Sequence, residues 1–267
     1  MDNAKPISAA QLKLLKKLDQ KKYREEAAKF VVEGPHPVTE LLSSDWEIEY
    51  LLVRKEVYEE GRLEGLGSSA KRRGIRTLVA SKRDFDAVAD TVASQGILAV
   101  VRKKELLSSP VWGSESKLTI VGLNHISDPG NLGTIMRTCA WFGVDYLLLD
   151  SGSVDVFNPK VVRATMGAIF HVPVIVDADL KKSIAEAKDH GVTVYSTTLN
   201  GGLPLDSCTF TGRSMLLLGN EARGVDETLH AASDTALMIP KIGAGESLNV
   251  AVACGIVLQR ITASLPI

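Results

Sequence analysis

Six short apolar runs, each followed by a stretch long enough to hold a helix or a tight return, fill the second half of this sequence: residues 118–123, 146–149, 172–176, 192–197, 215–218 and 236–239. They are apolar throughout instead of alternating with polar residues. Strands of that kind belong to a parallel sheet covered by helices on both faces. Helical spacing over 131–142, about 159–166, 180–190 and beyond Asn249 supplies the covering layers. A doubly wound α/β sheet is the architecture the pattern predicts.

Three strand ends in that sheet carry polar chemistry. The first, Asn124-His-Ile-Ser-Asp-Pro-Gly-Asn-Leu-Gly-Thr-Ile-Met-Arg137, turns at Asp128-Pro129-Gly130 into a helix from about Asn131 that carries Arg137. The second ends a strand at Gly219 and sets Asn220, Glu221 and Arg223 in a tight loop closed by Gly224. In the third, Pro240 stops a strand because it cannot donate to the ladder. Gly243 and Gly245 then loosen the loop before Ser247, Leu248 and Asn249. Polar groups collected at the carboxyl ends of parallel strands mark a ligand site. Asn131, Ser247 and Asn249 serve equally as plain helix caps, and Arg137 as half of a surface ion pair.

Composition narrows the class. With 45% hydrophobic and 24% charged residues, the chain reads as a water-soluble globular protein. Cys139, Cys208 and Cys254 lie in unrelated apolar segments and the five histidines are scattered. That usage predicts neither a disulfide framework nor a metal site, and suits a reducing, cytoplasmic setting. No apolar run approaches membrane-spanning length, so no membrane partner is expected.

The net charge of −1 conceals an asymmetry. Residues 1–105 hold 20 Lys and Arg against 17 Asp and Glu, whereas residues 106–267 hold 11 against 15. The basic groups cluster as Lys13, Lys16, Lys17, Lys21, Lys22 and Arg24, then as Lys71, Arg72, Arg73 and Arg76. Such clusters pair with phosphates or form solvated helix faces. Around them the pattern predicts a helix over 8–20 capped by Ser8, a β-rich run at 29–33, and a helix opened by Pro35. Strands at 49–53, 75–79 and 97–101 and helices at 63–73 and from Ser81 complete a small α/β domain. Gly65-Leu-Gly67-Ser-Ser-Ala70 matches a dinucleotide fingerprint in letters only; it follows a charged segment and not a buried strand. The expected division is 1–105, a linker at 106–117 whose Trp112 docks on one domain, and 118–267.

Three motifs in order then carry a resemblance. Asn131-x-Gly133-x-x-x-Arg137, Gly219-Asn-Glu221-x-x-Gly224 and Pro240…Ser247-Leu248-Asn249 resemble those of the SpoU/TrmH RNA ribose 2′-O-methyltransferases. The resemblance implies a C-terminal parallel sheet with a deep trefoil knot, bound S-adenosyl-L-methionine, and a homodimer formed through the C-terminal domain. True knots are rare exceptions that periodicity does not reveal. It also implies that Thr198 or Leu199, Gly219, Ile239 and Leu248 hold the cofactor, and that Arg137 stands at the reacting ribose with Asn131, Glu221, Ser247 and Asn249 around it. The run Lys22-Tyr-Arg-Glu-Glu-x-x-x-Phe-Val-Val-Glu-Gly34 is similar to the smaller N-terminal, L30/L7Ae-like substrate-binding domain of longer members, which implies an RNA partner, ribosomal RNA first. The alternatives are a tRNA target or a non-catalytic RNA-binding member. Without the resemblance, the residues alone suit a nucleotide-binding α/β enzyme.

Overall fold

The computed structural model describes residues 4–91, 93–220 and 222–263. The chain packs as two compact units, one of residues 1–105 with 155–171 and one of 106–154 with 172–267.

The first unit opens with β1 (Lys5–Pro6), α1 (Ala9–Lys17) and α2 (Lys21–Ala27), followed by β2 (Lys29–Glu33), α3 (Pro35–Leu42) and β3 (Ile48–Arg54). Then come α4 (Lys55–Glu59), α5 (Glu64–Arg72), β4 (Thr77–Ala80), α6 (Lys82–Asp86) and β5 (Ile97–Arg102). The strands form one mixed sheet in the order β1-β4-β3-β5-β2. Ser8 caps α1 in a capping box with Gln11, as its sequence predicts. Leu15 and Leu18 pack with Tyr50, Leu52, Phe85 and Leu98 in the core on that side.

The second unit begins with β6 (Leu118–Asn124), α7 (Pro129–Trp141) and β7 (Tyr146–Leu149). The chain next gives α8 (Pro159–Ala164) to the first unit. It resumes with β8 (Val174–Ile175), α9 (Leu180–Asp189), β9 (Thr193–Thr198), β10 (Leu203–Pro204), β11 (Arg213–Gly219), α10 (Glu227–Ala232), β12 (Thr235–Met238) and α11 (Val250–Ala263). All seven strands are parallel, in the order β10-β12-β9-β11-β6-β7-β8. Ile120, Leu148, Val194, Met215 and Leu217 fill one side of this sheet. Trp112 docks there, its ring stacked 5.4 Å from that of His190.

Segment 155–171 is bound into the first unit by specific chemistry. Arg24, only 2% exposed, reaches the Asp155 carboxylate at 2.6 Å and the carbonyls of Leu18 and Asp19 at 2.9 and 2.7 Å. Phe157 lies 4.8 Å from the Phe30 ring, and Phe170 lies 5.9 Å from Trp46. Such aromatic pairs each contribute about 1 kcal/mol beyond their buried area. His171 meets Glu40 at 2.8 Å, and Arg163 pairs with Asp90. Arg24 therefore leaves the basic cluster read from the sequence, since its guanidinium is consumed inside the protein. Arg73 is likewise engaged, donating to the carbonyls of Leu41, Leu42 and Trp46.

Candidate active site

The strand order β12-β9-β11-β6 brings four carboxyl ends side by side. In register, Gly219 stands opposite Asn124, and Thr198 opposite Met238. The three polar loops of the sequence thus leave from one edge of one sheet.

Helix α7 begins two residues earlier than its apolar spacing suggests. Asp128 is the cap, its Oδ1 accepting from the Asn131 backbone N–H at 2.7 Å, and Pro129 takes the first helical position. Asn131 is consequently not a cap, and its side chain can bond elsewhere. Its Oδ1 accepts from Nδ2 of Asn249 at 2.9 Å. The other end of the Asn249 amide caps α11, where Oδ1 accepts from the N–H groups of Ala251 and Val252 at 2.9 and 3.3 Å. Backbone N–H groups require an oxygen, which leaves the amide nitrogen for Asn131. One side chain thus joins the first and third loops.

Ser247 and Leu248 are exposed, and Ser247 makes no hydrogen bond to another described residue. Arg137 is exposed on α7 and has neither a hydrogen bond nor an ion pair among the described residues. Among the described residues, no structural ion pair accounts for it. Glu221 lies outside the described residues. Around it, the Gly224 N–H donates to the Asn220 carbonyl at 2.8 Å and folds the second loop back on itself. A Cβ on Gly219 would stand 2.0 Å from the Gly224 carbonyl carbon, so only glycine permits this fold. Asn220 Nδ2 donates to the His125 carbonyl at 3.0 Å, tying the second loop to the first.

Sequence reading missed the brace beneath these loops. Asn124, buried at the end of β6, donates through Nδ2 to Asp150 at 3.0 Å and Asp226 at 3.1 Å, and accepts from the Asp226 N–H at 2.8 Å. The His125 ring stands 3.3 Å from Asp150 and 3.5 Å from Asp226, on a backbone with φ of +58°. The available signal was an asparagine closing an otherwise apolar strand. A buried amide must find partners, and these fix the ends of three chain segments.

The residues assigned to the cofactor follow the same edge. Thr198 closes β9 with its hydroxyl bonded to the Asn200 carbonyl at 2.9 Å, Leu199 is exposed, and Ile239 is half-buried after β12. With Gly219 and Leu248 they offer backbone groups and aliphatic surface without charge. That set fits the flat purine and the methionyl carbon chain of S-adenosylmethionine. Among the described residues, no group of His, Cys, Asp and Glu is arranged to hold a metal.

The profile of the SpoU rRNA Methylase family matches residues 118–259, over half of the chain. The chain belongs to this family. The profile of the MRM3-like substrate binding domain matches residues 9–99. The 23S rRNA (guanosine(2553)-2′-O)-methyltransferase RlmP of Bacillus subtilis is 36% identical over 92% of this chain and 93% of its own. The structure of an AdoMet-bound rRNA methyltransferase from Sinorhizobium meliloti superposes with a TM-score of 0.84 at 28% identity, over 98% of this chain and 97% of that one. The SpoU methyltransferase AviRb of Streptomyces viridochromogenes shares the fold, with a TM-score of 0.81 at 22% identity over 96% and 98% of the two chains.

Asn249 separates capping from joining in this family member. Asn249→Asp keeps an oxygen for the α11 N–H groups, so the melting temperature should stay within a degree or two. It removes the donor to Asn131 and sets two oxygens face to face, and methyl transfer should fall at least about tenfold. Asn249→Ala should lose the activity together with about 1 kcal/mol of stability. Initial rates beside thermal melts decide; a fully active Asn249→Asp removes the Asn131 contact from the mechanism.

Proposed function

We propose that this chain transfers the methyl group of S-adenosyl-L-methionine to a ribose 2′-hydroxyl of ribosomal RNA. The observation that carries the reading is the 2.9 Å bond from Asn249 to Asn131, which joins two of the three motif loops at the base of the helix that bears the exposed Arg137. When bound, S-adenosylmethionine supplies an electrophilic methyl group on a sulfonium. The C–S bond breaks, the O–CH3 bond forms, and the hydroxyl proton must leave. A guanidinium keeps its proton at neutral pH and is a poor acceptor for another. Arg137 instead clamps the phosphate beside the target ribose and polarises the hydroxyl, and the proton passes to phosphate or water. Glu221 is assigned to hold Asn131 or Arg137, with Ser247 at the same mouth.

The substrate-binding match and the 23S rRNA named for the Bacillus relative support ribosomal RNA over tRNA. A non-catalytic member has no use for Asn131, Arg137, Ser247 and Asn249 together. The three buried free thiols suit a reducing cytoplasm, and the deep trefoil knot implied by the family completes the reading. Calorimetric titration with adenosylhomocysteine after EDTA treatment should show binding. Tritiated S-adenosylmethionine should label 23S rRNA at a position that resists alkaline cleavage. Absence of binding heat overturns the cofactor assignment, and label confined to tRNA overturns the substrate.

The active form is a homodimer in this proposal. Trp141 is 84% exposed at the end of α7, and Val252 and Ile256 are exposed one turn apart on α11, which packs against α7. Exposed apolar side chains on two helices that pack together suit an interface, and Trp141 shares a helix face with Arg137 four residues earlier. Light scattering on the full chain should give twice the chain mass, and Ile256→Glu should give a monomer. A native monomer at micromolar concentration contradicts the dimer. The full chain is needed because a fragment from 106 onward strips segment 155–171 of its partners.

A further inference from the structure

The first unit contains a cavity of about 630 Å³ between its sheet and the α4–α5 segment, within the ~300–1,000 Å³ range of ligand sites. Its floor is apolar, built from Leu51, Val53 and Leu78, and one aromatic ring, Tyr58, lines it. Lys5, Lys71 and Arg76 stand on the rim beside Glu64, the carboxylate that lines the cavity among the described residues. The wall is α5, whose sequence Glu64-Gly-Leu-Gly-Ser-Ser-Ala70 is poor in helix formers. Glycine inside a helix costs about 1 kcal/mol relative to alanine, and a close neighbour often explains it. Here a Cβ added at Gly65 or Gly67 meets nothing within 4 Å. Packing gives no reason for either glycine, whereas an accessible cavity behind a thin wall gives one for Gly67, which lines it. The letters that imitate a dinucleotide fingerprint lie on this wall, away from any strand-to-helix phosphate turn.

We infer that this cavity receives one unstacked nucleotide of a single-stranded RNA segment, with the base on the apolar floor beside Tyr58 and its phosphates at Lys71 and Arg76. Bases lifted out of a strand are recognised by stacking on aromatic rings and by basic groups along the backbone, and floor and rim together provide both. The inference rests on the RNA substrate proposed above and assigns it a second point of attachment, outside the methyl-transfer site.

The test uses the full chain and fluorescein-labelled hexauridylate and hexaadenylate, with UMP and AMP as competitors. Gly67→Leu fills the cavity with a better helix former, and Arg76→Glu reverses the rim charge. Each should weaken hexamer binding at least about tenfold, leaving adenosylhomocysteine affinity and the melting temperature as in the native chain. Hexamer binding by Gly67→Leu equal to native overturns the proposal. Mononucleotides that compete as strongly as hexamers identify a free-nucleotide site and also overturn it. A native chain that binds adenosylhomocysteine but neither hexamer refutes the cavity assignment and leaves the methyltransferase reading standing; failure to bind adenosylhomocysteine strikes that reading itself.

Discussion

Arg137→Ala is expected to lose methyl transfer by about a hundredfold or more and to bind adenosylhomocysteine with nearly native affinity. The side chain is exposed on α7 and makes no bond to another described residue, so its removal orphans no partner among the described residues and should not disturb folding. The residues assigned to the cofactor come from the ends of β9, β11 and β12 and from the loop before α11, not from α7. A charge-assisted contact made mainly in the transition state is worth about 3 kcal/mol, which sets the hundredfold. Arg137→Lys distinguishes the two possible roles, because lysine keeps the charge but not the forked geometry. A phosphate clamp predicts partial activity with an unchanged pH profile. A proton acceptor predicts activity climbing steeply at alkaline pH, as lysine's lower pKa comes within reach. Single-turnover rates between about pH 6 and 10 decide between them, and native turnover in Arg137→Ala removes the residue from the mechanism.

The second unit was legible wherever burial dictates composition. Strands covered on both faces must be apolar throughout, so β6, β7, β9, β11 and β12 could be read to within a residue or two. The edge strand β8 shrinks to Val174–Ile175, since an apolar run is no measure of how far its ladder extends. The start of α7 was misjudged because Asp-Pro-Gly signals a turn and a helix start equally well; the Asp128 cap decides in favour of the helix. At the site, residue types pointed to the right edge of the sheet, but the Asn131–Asn249 bond joins residues 118 positions apart and no local pattern encodes it. Asn124, Asp150 and Asp226 escaped notice for the same reason. Each is an ordinary polar residue until the sheet sets it beside the others.

Arg24 shows why segment 155–171 could not be assigned from the sequence, and it carries the largest stability prediction. A run of lysines and one arginine after a leucine helix reads as a solvated basic face, and α2 has no apolar stripe because the group it buries is a guanidinium. Its partner Asp155 lies 131 positions away. Taking a cation and a carboxylate out of water costs several kcal/mol for each ion, offset here by the 2.6 Å contact with Asp155 and the carbonyls of Leu18 and Asp19. Arg24→Met leaves the Asp155 carboxylate part-buried without its cation, and should lower stability by about 3 kcal/mol or more. Adding Asp155→Leu should restore much of that loss, because two apolar groups of similar volume often replace a buried pair at little cost. If the pair served only as a surface contact, the single substitution would cost well under about 1 kcal/mol and the second would recover nothing. Urea unfolding followed by tryptophan fluorescence reads the difference, since Trp46 sits beside Phe157 and Phe170 and reports the loss of this segment directly. An unchanged midpoint in Arg24→Met means that the aromatic contacts alone hold 155–171 in the first unit.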